Sequence, residues 1–117
     1  MEITVQTRRL DIPDQVREVA VDKAQHLQRF LEGAEEAQVV FSRDHAARDD
    51  GYVTCEVLVV GRGRSVRSKA TGHLALQALE AAMDKATQRL TRVQDRLVQR
   101  SRPRHGVASP PAAGNPD

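Results

Sequence analysis

The chain has 117 residues, of which 39% are hydrophobic and 29% are charged, and its 18 basic and 16 acidic side chains give a formal net charge of +2. That length allows one domain with one modest core and leaves no room for a second domain. The absence of Trp and the 3% aromatic content weigh against RNA binders that stack bases on aromatic side chains. The single cysteine excludes an internal disulfide and a multi-cysteine metal site.

The first two elements are a predicted strand and a predicted helix. Ile3, Val5 and Thr7 alternate along residues 2–8, which indicates a strand with one apolar face. Pro13 marks the start of a helix, because the first turn tolerates the missing N–H of proline. Apolar residues then recur at helical spacing as far as Gly33, so we expect an amphipathic helix that ends at a glycine cap.

Two more strands follow, separated by a charged segment. Ala37, Val39 and Phe41 alternate with more polar neighbours and predict the second strand. Residues 43–51 are too polar and too rich in turn formers to be anything but an exposed loop. The alternation along residues 53–59 is the clearest strand pattern in the chain.

The fourth strand is predicted to fold back on the third as a hairpin. Gly61-Arg62-Gly63 supplies a turn that can adopt positive φ, and residues 64–71 follow it. Arg67 and Lys69 point to one face of this strand, and the other face carries Val66, Ser68 and Ala70. One face of the sheet is therefore expected to be partly basic.

The last ordered element is a long helix over about residues 73–100, whose apolar stripe steps by three and four: Leu76, Leu79, Met83, Ala86, Leu90, Val93 and Leu97. Residues 102–117 are rich in Pro, Ala and Gly and are expected to be a disordered tail. The sequence thus predicts an α+β domain over residues 1–101 in the order β-α-β-β-β-α, with two helices packed on one face of a four-stranded sheet.

The last helix also carries a row of cations, which we call the basic ridge: Lys85, Arg89, Arg92, Arg96 and Arg100. At about 100° per residue the ridge spans an arc of roughly 80° beside the apolar stripe. Residues 85–104 hold seven basic side chains and one acid, a charge of +6, so the rest of the chain carries −4 of the total +2. Such segregation is typical of phosphate recognition, although Arg and Lys are also common on solvated helix faces.

Enzyme and metal-site hypotheses have little support in the sequence. His26, His45, His73 and His105 fall in separate elements without metal-ligand spacing, and Cys55 alternates with valines as a buried thiol would. No nucleophile elbow or P-loop is present, so we expect no catalysis, cofactor or small-molecule substrate. The N-terminus lacks the features of a secretory signal, and no apolar run approaches the ~20 residues of a membrane span, so a cytoplasmic protein without membrane contact is predicted.

Several segments together resemble the ribosome hibernation-promoting factor and ribosome-associated inhibitor family. They are Met1-Glu2-Ile3-Thr4-Val5 with Arg8-Arg9, Lys23-Ala24 and Leu27-Gln28-Arg29-Phe30 in the first helix, Gly61-Arg62-Gly63-Arg64, and the run from Ala78 to Lys85 that leads into Arg89-Leu90. The family's fold is this β-α-β-β-β-α arrangement, similar to double-stranded RNA-binding domains.

The resemblance implies a protein that binds the small ribosomal subunit where messenger and transfer RNA meet and keeps idle ribosomes inactive under stress. Its basic side chains would contact phosphates of ribosomal RNA, which anchors the protein without reading base sequence. The residues expected to bind ribosomal RNA are Lys85, Arg89, Arg92, Arg96, Arg100, Lys23, Arg8 and Arg9.

The sequence departs from the family pattern at two places. Leu74 and Leu76 stand where an aspartate and a tyrosine usually open the long helix, and the Pro/Ala tail stands where long members carry a dimerisation domain. Pairing of ribosomes would then need a separate dimerising partner factor. Two other functions stay open: a general binder of structured RNA with the same fold, and a module whose basic helix engages an acidic protein.

Overall fold

The structure is a computed structural model that describes residues 1–43 and 52–101, with side chains up to residue 96. The predicted loop at 43–51, apart from Arg43, and the predicted disordered tail at 102–117 lie outside the described residues. None of the helices in the described ranges is both long and apolar enough to cross a membrane.

The predicted order β-α-β-β-β-α and the α+β fold class are confirmed. The strands are β1 (Glu2–Arg8), β2 (Glu36–Ser42), β3 (Val53–Gly61) and β4 (Arg64–Gly72), and the helices are α1 (Asp14–His26) and α2 (Ala75–Ser101). The four strands form one sheet in the spatial order β1-β2-β3-β4. β1 and β2 are parallel, so α1 is the crossover that such a pair requires, and the two other pairs are antiparallel.

The core lies between the two helices and one face of the sheet. β2 and β3 alternate strictly between buried and half-buried side chains, and Phe41, Val39 and Val57 are completely buried. Ala20 and Ala24 of α1 cover this face together with five members of the apolar stripe of α2: Leu79, Met83, Ala86, Leu90 and Val93. Leu76, which the sequence places in the stripe, is exposed because it lies in the first turn of α2, outside the described core; the side chain of Leu97 is outside the described residues. No helix in the described ranges covers the opposite face of the sheet, which we call the free face.

The first helix is shorter than the sequence predicts. α1 ends at His26, and a 3₁₀ turn continues over Leu27–Phe30 before the chain reaches Gly33. Leu27 and Leu31 are still buried, so the apolar spacing that predicts a longer helix is satisfied by the tighter turn. Gly33 has a φ of +84°, and a side chain there would collide with that of Arg62.

The thiol of Cys55 makes stability depend on pH in the alkaline range. Burial, with a smaller contribution from Glu56, raises the pKa of Cys55 from 9.0 to about 12. Above pH 9 the unfolded chain loses this proton before the folded one, so the free energy of unfolding should fall as pH rises from 9 toward 12. In urea denaturation we expect the Cys55 thiol to lower the free energy of unfolding by up to about 1.4 kcal/mol per pH unit in this range. This fall should be absent from Cys55→Ala. A constant difference between the two proteins across this range would contradict the expectation.

Candidate nucleic-acid interface

The basic ridge lies on the flank of α2 that runs beside β4. Its four members with described side chains, Lys85, Arg89, Arg92 and Arg96, are all exposed, while Leu79, Ala86 and Leu90 of the same helix are buried against the sheet. Arg100 lies on α2, but its side chain is outside the described residues. The folded helix therefore presents the ridge to solvent beside the apolar stripe, as its spacing predicts.

Two members of the ridge are hydrogen-bonded to the sheet. The Nζ of Lys85 donates to the backbone carbonyl of Lys69 at 3.1 Å, and Nη1 of Arg89 donates to the carbonyl of Arg67. β4 is an edge strand, so these carbonyls have no neighbouring strand to bind. Arg17 of α1 binds the other edge strand, β1, where its Nη1 donates to the backbone carbonyl of Val5 at 3.1 Å.

This edge contact was not foreseen from the sequence. Side chains that cover an edge strand discourage other chains from pairing with it, so Lys85 and Arg89 have a structural role as well as a positive charge. Helical spacing places both on one flank of α2, but only the packing of α2 against the sheet brings that flank to β4.

We expect the double variant Lys85→Met/Arg89→Met to be less stable than the native protein. Losing both donors would cost about 1 kcal/mol, equivalent to roughly 4–8 °C in Tm for a domain of this size. The matched control is Arg92→Met/Arg96→Met, which removes the same charge from the same helix and should leave Tm unchanged. Thermal unfolding followed by circular dichroism makes the comparison, and equal losses in the two variants would contradict the edge role.

Arg92 and Arg96 are the two ridge members with described side chains that do not bind the sheet. Both are exposed, and residues 1–43 and 52–96 provide neither of them with a hydrogen-bond or ion-pair partner. An unpaired guanidinium group gives up no contact within the described structure when it binds a ligand, and its planar fork matches two oxygens of a phosphate. Among the ridge side chains that the structure describes, these two are therefore the ones available to a ligand.

The free face of the sheet is partly basic, as the sequence predicts. Arg67 and Lys69 are both exposed there, whereas Ser68 is buried on the helix side. Arg67 is paired with Glu56 of β3, with 3.4 Å between Nε and Oε2. This ion pair is largely exposed and contributes little to stability, but it reduces the net charge of the central part of the face.

Arg8 and Arg9 lie at the far edge of the sheet from the ridge. Both are exposed, and Arg9 leaves β1 with a φ of 65°, so the chain turns directly after Arg8. Together with Lys69 of β4, they line one hollow on the free face. The structure therefore brings Arg8 and Arg9 together with Lys69, and Lys69 is joined to the ridge through its carbonyl contact with Lys85.

Lys23 is not part of this surface. It lines a separate hollow between α1 and α2, together with Asp22, Asp84, Met83 and Thr87. Met83 and Thr87 lie on the flank of α2 opposite to the ridge, so the helix separates Lys23 from Arg92 and Arg96. Binding of ribosomal RNA by Lys23 stays a prediction, made from the sequence alone.

The part of the chain that the structure describes contains no assembled metal site. No group of three or more His, Cys, Asp or Glu side chains there could hold a metal ion. Nδ1 of His26 lies 2.8 Å from the carbonyl oxygen of Asp22, and His73 stacks on Tyr52 with 4.6 Å between ring centroids. His45 and His105 lie outside the described residues.

Comparison with known proteins gives one family and several similar structures. The sequence model of the family described as sigma 54 modulation protein / S30EA ribosomal protein matches residues 3–98. The fold is similar to the N-terminal domain of Protein Y from Thermus thermophilus, with a TM-score of 0.66 and 26% identity over 80% of this chain and 99% of that one. It is also similar to a ribosomal subunit interface protein from Coxiella burnetii, with a TM-score of 0.66, 16% identity and coverage of 81% and 99%; at that identity the likeness supports the fold alone. No curated protein sequence matches at a significant level.

Proposed function

Because this chain belongs to the family of sigma 54 modulation proteins and S30EA ribosomal proteins, we propose that it is a translation inhibitor that binds the small ribosomal subunit. It occupies the channel of messenger and transfer RNA and keeps idle ribosomes inactive. Family membership makes ribosome association its general role, and the position in the channel is the more specific part of the proposal.

The observation that carries the proposal is the exposed pair Arg92 and Arg96 in the basic ridge. Arg92 and Arg96 are exposed and unpaired within the described ranges, on a helix whose adjacent side is packed in the core. Each cation that neutralises an RNA phosphate releases counterions, which supplies affinity without base recognition. Lys85 and Arg89 add charge beside them, and Arg100 continues the row toward the end of α2.

Inhibition by this protein requires occupancy and no chemistry. A folded domain anchored by the ridge in the channel excludes messenger and transfer RNA sterically, and it dissociates when those RNAs compete. The proposal places the protein in the cytoplasm, where its partner is found.

The test is sucrose-gradient sedimentation of the purified protein with isolated small subunits and with intact ribosomes. Each particle is used empty and with messenger and transfer RNA bound. We expect co-migration with the empty particles and loss of the protein from the occupied ones. Failure to co-migrate with empty small subunits at low salt would refute the proposal, and equal binding to occupied particles would refute the position in the channel.

One observation favours a second candidate, a general binder of structured RNA. The ridge consists only of cations, and cations that contact phosphates do not distinguish one duplex from another. If this function is correct, free duplex RNA should displace the protein from small subunits at concentrations comparable to those of the subunits. If the protein is specific for the ribosome, displacement should require a large excess of duplex.

A further inference from the structure

The exposed large hydrophobic side chains in the described ranges lie at one corner of the protein, which we call the apolar corner: Tyr52, Leu74 and Leu76. Leu74 and Leu76 are at the start of α2, and Tyr52 directly precedes β3. Tyr52 stacks on His73, the neighbour of Leu74 in the chain, so the ring contact joins the two parts of the corner. Exposed apolar side chains that are grouped in this way are typical of a surface that another molecule covers.

The apolar corner continues along α2 into two carboxylates, Glu80 and Asp84, which we call the acidic flank. Leu76, Glu80 and Asp84 are four residues apart, so their side chains follow one another along the same side of the helix. Glu80 and Asp84 are exposed, and residues 1–43 and 52–96 provide neither with a hydrogen-bond or ion-pair partner. At about 100° per residue, the acidic flank lies roughly 140° around α2 from the basic ridge.

The acidic flank borders the hollow between α1 and α2, which has a volume of about 300 Å³. Met83 of α2 and Leu27, directly after α1, both line the hollow and are both buried, so its floor is apolar. Asp84 lines it from α2 and Asp22 lines it from α1. An extended chain that follows the acidic flank from the apolar corner would therefore end over a second apolar site.

The charge of this surface favours a basic partner over RNA. The carboxylates of Asp22, Glu80 and Asp84 outnumber the one lysine, Lys23, by two, and with His26 neutral these side chains carry a net charge of −2. Phosphates are repelled by such a surface, whereas Lys and Arg side chains are attracted to it. The partner is thus expected to be a protein segment that combines apolar and basic side chains.

Neither a second copy of the chain nor the residues that follow α2 suit this surface. A stable interface buries about 800 Å² of each partner, far more than three partly exposed side chains offer, and two copies joined through the same patch would bring their acidic flanks together. Arg102 and Arg104 follow Ser101 by at most three residues and reach about 10 Å. Glu80 lies about 30 Å back along the helix, so these cations do not reach it.

We propose that the apolar corner, the acidic flank and the hollow together bind an extended segment of a basic protein, whose apolar side chains lie at the two ends and whose Lys or Arg side chains lie along the acidic flank. The identity of the partner rests on the proposed function: on the small subunit, the segment belongs to a ribosomal protein. The basic ridge contacts RNA while another side of α2 contacts protein. Because the ridge already holds the domain in place, a small second contact is sufficient.

The first experiment measures the affinity of the full-length protein for isolated small subunits. Glu80→Gln/Asp84→Asn should weaken binding about threefold to tenfold, because two carboxylates lose their cationic partners. If α2 contacted RNA alone, the same change would remove negative charge near phosphates and tighten binding. The matched control is Glu2→Gln/Glu36→Gln, which removes the same charge at the starts of β1 and β2 and should bind no more weakly than the native protein. Unchanged or tighter binding of Glu80→Gln/Asp84→Asn would overturn the inference.

The apolar contact is tested by Leu74→Ser/Leu76→Ser in the same assay. We expect binding to weaken about tenfold while the slope of log K against log salt stays the same, because an apolar contact releases no counterions. Circular dichroism verifies that the variant is folded, as both side chains are exposed in the native protein. Native affinity in the folded variant would show that the apolar corner is not covered on the ribosome.

A cross-linking experiment distinguishes a protein partner from RNA. Cys55 is the only cysteine and is buried, so Leu76→Cys provides one accessible thiol for a benzophenone maleimide. After irradiation on small subunits, we expect an adduct that resists ribonuclease and contains a ribosomal protein. Ser65→Cys, near the other end of β4, is the control and should not give this adduct.

Three outcomes of the cross-linking would overturn the inference: an adduct with ribosomal RNA alone, no adduct, or the same protein adduct from Ser65→Cys. If the native protein co-sediments with small subunits in any of these cases, the proposed function stands and only the protein contact is wrong. If the native protein does not co-sediment, both are refuted.

Discussion

Replacing Arg92 and Arg96 by Glu is expected to abolish binding to the small subunit while the protein stays folded. Both side chains are exposed and unpaired in the described part of the chain, so no native contact is lost. Each charged contact with a phosphate contributes about 1.5 kcal/mol or more, and a factor of ten in affinity corresponds to about 1.4 kcal/mol. Loss of both contacts should therefore weaken binding by roughly a hundredfold, and repulsion of the phosphates should weaken it further.

The matched control reverses two other exposed arginines, Arg29 and Arg64, which lie in the 3₁₀ turn after α1 and at the start of β4. The net charge changes by the same amount in both variants, so a difference between them reports position and not total charge. Co-sedimentation with small subunits measures binding, and circular dichroism verifies the fold. If Arg92→Glu/Arg96→Glu is folded and co-sediments like the native protein, the ridge is not the RNA contact.

Arg89 is left out of this variant for a structural reason. Its guanidinium donates to the carbonyl of Arg67 at the edge of β4, so Arg89→Glu would remove an edge contact and place a carboxylate beside a carbonyl oxygen. A loss of binding in a triple variant would then have two explanations. Confining the change to Arg92 and Arg96 separates recognition from stability.

The largest loss of stability is expected for Phe41→Ala. Phe41 is one of the largest fully buried side chains, and on the inner strand β2 it pairs with Thr7 of β1 and Cys55 of β3. Truncating a buried phenylalanine costs about 3–5 kcal/mol, a large part of the roughly 5–15 kcal/mol that stabilises a typical domain. Urea denaturation should show a correspondingly lower midpoint, and part of the protein is expected to be unfolded at 37 °C.

Tyr52→Ala is the control for this prediction, because Tyr52 is an aromatic residue that is 41% exposed. Its removal exposes little of the core and should lower the free energy of unfolding by much less. Phe41→Leu should fall between the two, since it keeps most of the buried volume. Equal losses in the free energy of unfolding for Phe41→Ala and Tyr52→Ala would contradict the assignment of Phe41 to the core.

The start of α2 differs from the family pattern in a way that the structure makes concrete. Leu74 is 63% exposed and Leu76 is 38% exposed, so neither leucine is explained by packing in the described core. The side chain of Gln77 accepts a hydrogen bond from the N–H of Leu74 at 3.2 Å, which satisfies one donor at a helix start that has no polar cap of its own. Gln77 therefore supplies a polar partner at this helix start, where the resemblance leads us to expect an aspartate and a tyrosine.

The order of the elements and most of their buried faces follow from local patterns in the sequence. Period-two alternation in β2 and β3 and the three–four spacing in α2 arise because each element buries one side. Such spacing can be read from residues that are close in sequence. The ridge was predicted for the same reason, since side chains three and four residues apart on one helix are always neighbours. The end of α1 was misplaced because a helical and a 3₁₀ turn can both bury Leu27 and Leu31.

Which cations lie close together depends on the tertiary structure. The packing of α2 places Lys85 and Arg89 over the edge of β4 and separates the ridge from Lys23. It gives Arg92 and Arg96 no partner among the residues that the structure describes. The sheet brings Arg8 and Lys69 into one hollow although 60 residues of sequence separate them. Such contacts depend on strand order and helix placement, which are set by the burial of the whole core and not by any local pattern of charge.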